Sequence, residues 1–188
     1  FSINGATGII DNQKNTITIN QPYATNVTAM IPTFTITGTQ ATINGITQVS
    51  GVSVVNFTKP IILIITAADG STRNYTINVI VALNNEKTIT SFSINGVIGT
   101  IDISAKTIAI HQPSGTNVTA MVANFATTGS IVTVLGSRQT SNVTPNDFTS
   151  PVTYTVTAAD GTTATYTVTV TVAPNNAKAI TAFSINGE

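Results

Sequence analysis

The stretch Val152-Thr153-Tyr154-Thr155-Val156-Thr157-Ala158-Ala159-Asp160-Gly161-Thr162-Thr163-Ala164-Thr165-Tyr166-Thr167-Val168-Thr169-Val170 decides the fold. Apolar and hydroxyl side chains alternate with a period of two on both sides of Ala159-Asp160-Gly161, the pattern of two half-buried strands. A three-residue loop ending in glycine predicts a type I turn followed by a left-handed residue at Gly161. This register pairs Val156 with Ala164 and Tyr154 with Tyr166. It puts Val152, Tyr154, Val156, Tyr166, Val168, Val170 and Val172 on one face and the threonines on the other. A slip of one residue exchanges the faces, so the burial of one face specifies the register.

The same hairpin stands 91 residues earlier, with Asp69-Gly70 in its turn and Ile61, Leu63, Ile65, Tyr75, Ile77 and Val79 on its apolar face. Phe-Ser-Ile-Asn-Gly occurs three times at that spacing, at Phe1–Gly5, Phe92–Gly96 and Phe183–Gly187. Residues 1–91 align on 92–182 without a gap, with 46 identities. A period of that size is a small domain rather than a supersecondary repeat. The chain therefore reads as repeat 1 over 1–83, repeat 2 with its linker over 84–174, and the linker and opening strand of a third repeat over 175–188. It starts at Phe and reads as an excerpt of something longer.

Further short strands are predicted at Phe92–Ile94, Ile101–Ile103, Thr107–Ile110, Val118–Ala126 and Ile131–Leu135. Asn95-Gly96 closes the first because both residues accept positive φ. No window carries a sustained apolar i, i+3, i+4 pattern, so no long helix is expected. Many short strands with turn signals between them predict an all-β chain of two tandem β-sandwich domains.

Only 7% of the residues are charged, and seven basic residues balance seven acidic ones. There is no basic patch to neutralise phosphates, which argues against nucleic acid as a partner. Solubility rests on 37 Thr, 19 Asn and 13 Ser. The longest apolar run, Ile61–Ile65, is too short to span a bilayer as a helix, so no membrane insertion is expected. The absence of cysteine excludes disulfides and thiolate metal sites.

Residues able to do chemistry are sparse. His111 is the only histidine, and Asn20 stands at its position in the first repeat; a triad or an imidazole site needs partners that it lacks. Asp69 and Asp160 occupy turns that favour Asp for backbone reasons. Calcium needs several converging oxygens; Asn84-Asn85-Glu86 offers some, but its copy ends in Ala177. No cofactor, metal site or catalytic set is expected. The rows Thr153-Thr155-Thr157 and Thr165-Thr167-Thr169-Thr171 form a hydroxyl array, read first as β-propensity and solubility and second as a flat binding face for sugar or even ice. In the first repeat Ile62 and Ile64 replace outward threonines. They read as a protected apolar run or as an outer contact surface. At the joints Leu83 and Ile89, echoed by Pro174 and Ile180, predict an apolar seam that stiffens the array, with Ile89 packed on the end of the first domain.

The run Ile-x-x-Phe-Ser-Ile-Asn-Gly, Gly-Thr-Ile-Asp, Asn-Val-Thr-Ala-Met and Asn-Asp-Phe-Thr-Ser-Pro-Val-Thr-Tyr-Thr-Val-Thr-Ala-Ala-Asp-Gly resembles the bacterial immunoglobulin-like repeats of large cell-surface and adhesin-type proteins. The resemblance covers both repeats and implies immunoglobulin-like sandwiches, tandem display and an extracellular location. The expected function is a non-enzymatic structural segment, a stalk or fibre repeat whose partners are neighbouring repeats and, by self-association, other copies. The alternative is a carbohydrate- or surface-binding module that uses the threonine faces or the loops Ser114–Thr116 and Ser137–Asn142. The sequence names no receptor or glycan.

Overall fold

The computed structural model describes residues 1–184. They contain strands and no helix, in two compact units, the first over Phe1–Asn84 and the second beginning at Asn85. Each unit is a β-sandwich, and the same sheet order appears in both.

In the second unit the larger sheet has six strands. Their order is Thr100–Asp102, Thr107–Gln112, Thr163–Val172, Val152–Thr157, Ile131–Val134 and Ser137–Arg138. The facing sheet runs Val97–Ile98, Ile89–Ile94, Met121–Thr127, Pro145–Asn146. The hairpin takes the register set by its alternation, with Tyr154 opposite Tyr166 and Val156 opposite Ala164. Thr107–Gln112 joins Thr163–Val172 in parallel, Ile108 beside Val168 and Ile110 beside Val170. That parallel pair is absent from a reading based on alternation, because alternation is the same in either direction.

The core between the sheets is built on aromatic rings. Phe92 meets Tyr154 edge-on at 5.2 Å, and Phe148 stacks on Tyr154 at 6.5 Å. Ile94, Ile108, Ile110, Val156, Tyr166 and Val168 complete it, all buried. Gln112 crosses it, its Nε2 donating to the Ile94 carbonyl at 2.9 Å. Gln21 does the same for Ile3 in the first unit at 2.9 Å. Each bond ties a buried amide side chain to the backbone of the facing sheet and gives the glutamine's own N–H a partner. Gly129 lies against the hairpin, where an added Cβ would stand 2.3 Å from Val156 Cγ1 and 3.0 Å from the Thr157 carbonyl oxygen.

The first unit repeats the larger sheet as Ile9–Asp11, Thr16–Gln21, Thr72–Val81, Ile61–Thr66, Gln40–Ile43 and Ile46–Thr47. Its second sheet is shorter: Ala6–Thr7, Ser2–Ile3 and Pro32–Thr33. Residues 34–38, the counterparts of 125–129, form no strand here. Leu63 stands where the second unit has Tyr154, and Phe1 stacks on Phe34 at 5.9 Å.

Ile89, expected at the seam, is fully buried within the second unit's own core, where its strand pairs with Met121–Thr127. Residues 173–184 form no strand. Residues 185–187 of the third Phe-Ser-Ile-Asn-Gly copy, and Glu188, lie outside the described residues.

Candidate functional site

The concave feature of the first unit is a groove of about 440 Å³. Phe1, Phe34, Ile36, Ile65, Ala67 and Tyr75 line it, with Arg73 at one end. A polar corner organises that end. Tyr75 Oη donates to Asn12 Oδ1 at 2.7 Å, and Arg73 Nε donates to Asn15 Oδ1 at 2.8 Å. Arg73 also bonds the Asn12 carbonyl, and its guanidinium lies 5.3 Å from the Tyr75 ring centre. The second unit has no such corner, since Ile103 and Ala164 replace Asn12 and Arg73. There the Tyr166 hydroxyl is buried without a partner.

The groove itself is closed in the second unit. Ile89 stands opposite Thr127 in the antiparallel ladder. Thr88 fastens the approach to it: its N–H donates to Thr128 Oγ1, and its carbonyl accepts from Thr128 N–H and Thr127 Oγ1, each at 2.9 Å. Lys87 Nζ reaches Thr162 Oγ1 at 3.0 Å over the hairpin turn. Under this cover Phe92, Val156, Ala158 and Tyr166 are buried. Their counterparts Phe1, Ile65 and Tyr75 are only half-buried, and Ala67 is exposed. The groove is thus the seat of a strand's lead-in residues. Its signal in the sequence is the Ile89–Phe92 spacing, which the reading above assigns to a seam.

The outer face of the second unit's larger sheet is a hydroxyl field. Arg138, Thr133, Thr155 and Thr165 form one cross-strand row, and Thr153, Thr167 and Thr107 the next. His111 Nδ1 lies 2.6 Å from Thr171 Oγ1 at its margin. Neighbouring hydroxyl positions in such a field are about 4.8 Å apart across strands and about 6.8 Å along them. In the first unit the same face carries Ile62, exposed, and Ile64, half-buried.

The remaining sequence-selected residues are placed as follows. Leu83 is 63% exposed and Ile180 84% exposed. Pro174 is exposed. In the hairpin turns Gly70 and Gly161 adopt φ of +82° and +85°. Asp160 Oδ1 accepts from Thr162 Oγ1 at 2.6 Å and from Thr162 N–H at 2.9 Å. Asp69 does the same with Ser71 at 2.6 and 2.9 Å. These bonds, the hydroxyl first, hold both carboxyls below the usual carboxylate range. Both aspartates therefore shape turns. Among the described residues no three His, Cys, Asp or Glu side chains come together to hold a metal.

The fold defines a β-sandwich domain that occurs twice in the chain. The chain belongs to the SGBP N-terminal family, the N-terminal region of surface glycan-binding proteins: the family model matches residues 1–79 and again 89–170. The match agrees with the adhesin-type resemblance as far as a surface-associated β domain and is not specific to adhesin repeats. Among solved structures, a "putative glycoside hydrolase" from Bacteroides thetaiotaomicron shares 31% identity over 57% of this chain and 31% of that one, with a TM-score of 0.39. A "putative secreted protein" from Bacteroides fragilis shares 20% identity over 47% of this chain and 96% of that one, with a TM-score of 0.35. This chain spans less than a third of the first of these proteins. No curated protein matches it.

Proposed function

We propose that the chain is a non-catalytic, glycan-binding segment displayed on a bacterial surface. The family match over both repeats carries this reading. The sugar-contacting surface is the hydroxyl field of the second unit, centred on Thr155, Thr165 and Thr167 with Arg138 at its edge. A flat, uncharged array of donors and acceptors suits a polysaccharide, which offers repeated hydroxyls and no charge to steer by. The open groove of the first unit is a poorer sugar site despite its aromatic rings, because its counterpart is filled by the protein's own strand.

Affinity electrophoresis in gels containing neutral polysaccharides tests the proposal. Retarded migration is expected, reduced in a Thr155→Val/Thr167→Val variant that removes hydroxyls while keeping β-branched shape. The gapless repeat supports a second reading, a spacer that carries a binding domain elsewhere in a longer protein. Unretarded migration across a broad polysaccharide panel would leave that reading standing instead.

A further inference from the structure

The smaller sheet of the second unit carries a hollow of about 240 Å³ beside its edge strand Val97–Ile98. Ile98 and Ile101 form an apolar wall. The rim carries the hydroxyls of Thr90, Ser91 and Ser93 and the amide of Asn124. Among the described residues no charged side chain lines it. We propose that this hollow binds one neutral pyranose, such as a terminal or branch residue of a polysaccharide. The site rests on the glycan-binding reading above and adds to it a contact apart from the hydroxyl field, on the other sheet.

A β-bulge builds the rim. Ile89 stands opposite Thr127 and Ser91 opposite Ala126, so Thr90 is one residue more than the partner strand can match. Thr90 and Ser91 are therefore both exposed, between the buried Ile89 and Phe92. Bulges re-aim side chains in this way beside functional sites. Ser93 lies between Ile98 on one neighbouring strand and Asn124 on the other. Asn124 Oδ1 accepts from Ser141 Oγ at 3.2 Å, and Ser141 Oγ accepts from the Phe125 N–H at 2.8 Å. This chain orients the carboxamide and leaves its Nδ2 to donate. The hydroxyls of Thr90, Ser91 and Ser93 have no protein partner among the described residues. Gly99 keeps the wall close: its N–H donates to the Phe92 carbonyl at 2.8 Å, and an added Cβ would stand 2.9 Å from Ile108 Cγ2.

A pyranose matches this arrangement. Its ring offers a C–H face to Ile98 and Ile101 and hydroxyls to the rim, and it brings no charge. The volume falls below the about 300–1,000 Å³ typical of pockets for drug-sized ligands, which suits a single ring. The first unit lacks this chemistry. Thr7 replaces Ile98, and Thr33 replaces Asn124 and spends its hydroxyl on Ser2 Oγ.

The repeat itself supplies the test variant. Asn124→Thr with Ile98→Thr installs the first unit's residues at positions where the fold already accommodates them. Isotope-labelled chain is titrated with glucose, galactose, mannose and xylose while its amide resonances are followed. The expected result is saturating shifts with at least one of these sugars, confined to residues 90–93, 98–101 and 124 and including the Asn124 side-chain amide. The double variant should abolish saturation while resonances elsewhere keep their positions, which shows that the fold is intact. Shifts that rise without saturating for every sugar, shifts that fall on the threonines of the larger sheet instead, or saturation that survives the double variant overturn the proposal. If polysaccharide gels still retard the unmodified chain in that case, the glycan-binding reading stands without this site; if they do not, both fall.

Discussion

Asn146 Nδ2 donates to the Tyr154 hydroxyl at 3.0 Å in the interior of the second unit, and to Gln139 Oε1 at 2.8 Å. The tyrosine spans the sandwich from the hairpin to the Pro145–Asn146 edge of the opposite sheet. The first unit has Leu63 and Val55 at these positions. The polar bridge therefore belongs to one repeat only, and so does its response to pH.

Burial pushes the Tyr154 hydroxyl up to about 12, and the Asn146 bond opposes it only partly. In the unfolded chain the group titrates near 10. Below pH 10 both states are neutral and stability is complete. Between 10 and 12 the unfolded chain loses the proton while the folded one keeps it, so stability falls as pH rises. Melting temperature measured from pH 8 to 11.5 should drop for the second unit. Tyr154→Phe should flatten that drop relative to the unmodified chain.

Gln112 and Gln21 each hold a buried carbonyl, so their loss has a defined cost. Gln112→Met keeps the volume and removes the bond to the Ile94 carbonyl. The expected loss is about 0.5–1.5 kcal/mol, the net worth of one intramolecular hydrogen bond. Urea unfolding should show it in one of two transitions, and Gln21→Met should move the other. A shift under 0.5 kcal/mol, roughly the effect of an ordinary surface substitution, would mean that the bond contributes little.

Leu135 is 99% exposed with φ of +49°. Its counterpart Asn44 has the same φ, +49°. A leucine in the left-handed region costs about 1–2 kcal/mol, whereas Asn tolerates it. Leu135→Asn gives up no buried area and should stabilise the second unit by about 1 kcal/mol. Calorimetry should record a higher melting temperature for one transition only.

Gly129 and Gly38 are held by close approach rather than by turn geometry. A Cβ on Gly38 would stand 2.5 Å from the Thr66 carbonyl oxygen, which is backbone and cannot swing away. Gly38→Ala and Gly129→Ala should each destabilise their own unit by about 1–3 kcal/mol, the usual cost of overpacking. Chemical denaturation of the two variants should show a loss in different transitions.

The sequence by itself determined the elements that depend on neighbours along the chain. Alternation around Ala159-Asp160-Gly161 set the hairpin register, because burying one face leaves a single acceptable pairing. The 91-residue repeat set the number of sandwiches. Asn95-Gly96 set a tight turn, because its backbone needs positive φ. Tertiary structure alone decided what depends on partners distant in sequence. The parallel pairing of Thr107–Gln112 with Thr163–Val172 leaves no mark on the alternation of either strand. Ile89 shows the same limit. Its spacing from Phe92 fits a seam as well as a core, and only the strand Met121–Thr127 opposite it draws it inward. An apolar side chain carries its tendency to be buried in the sequence, but the surface that buries it exists only once the sheets have assembled.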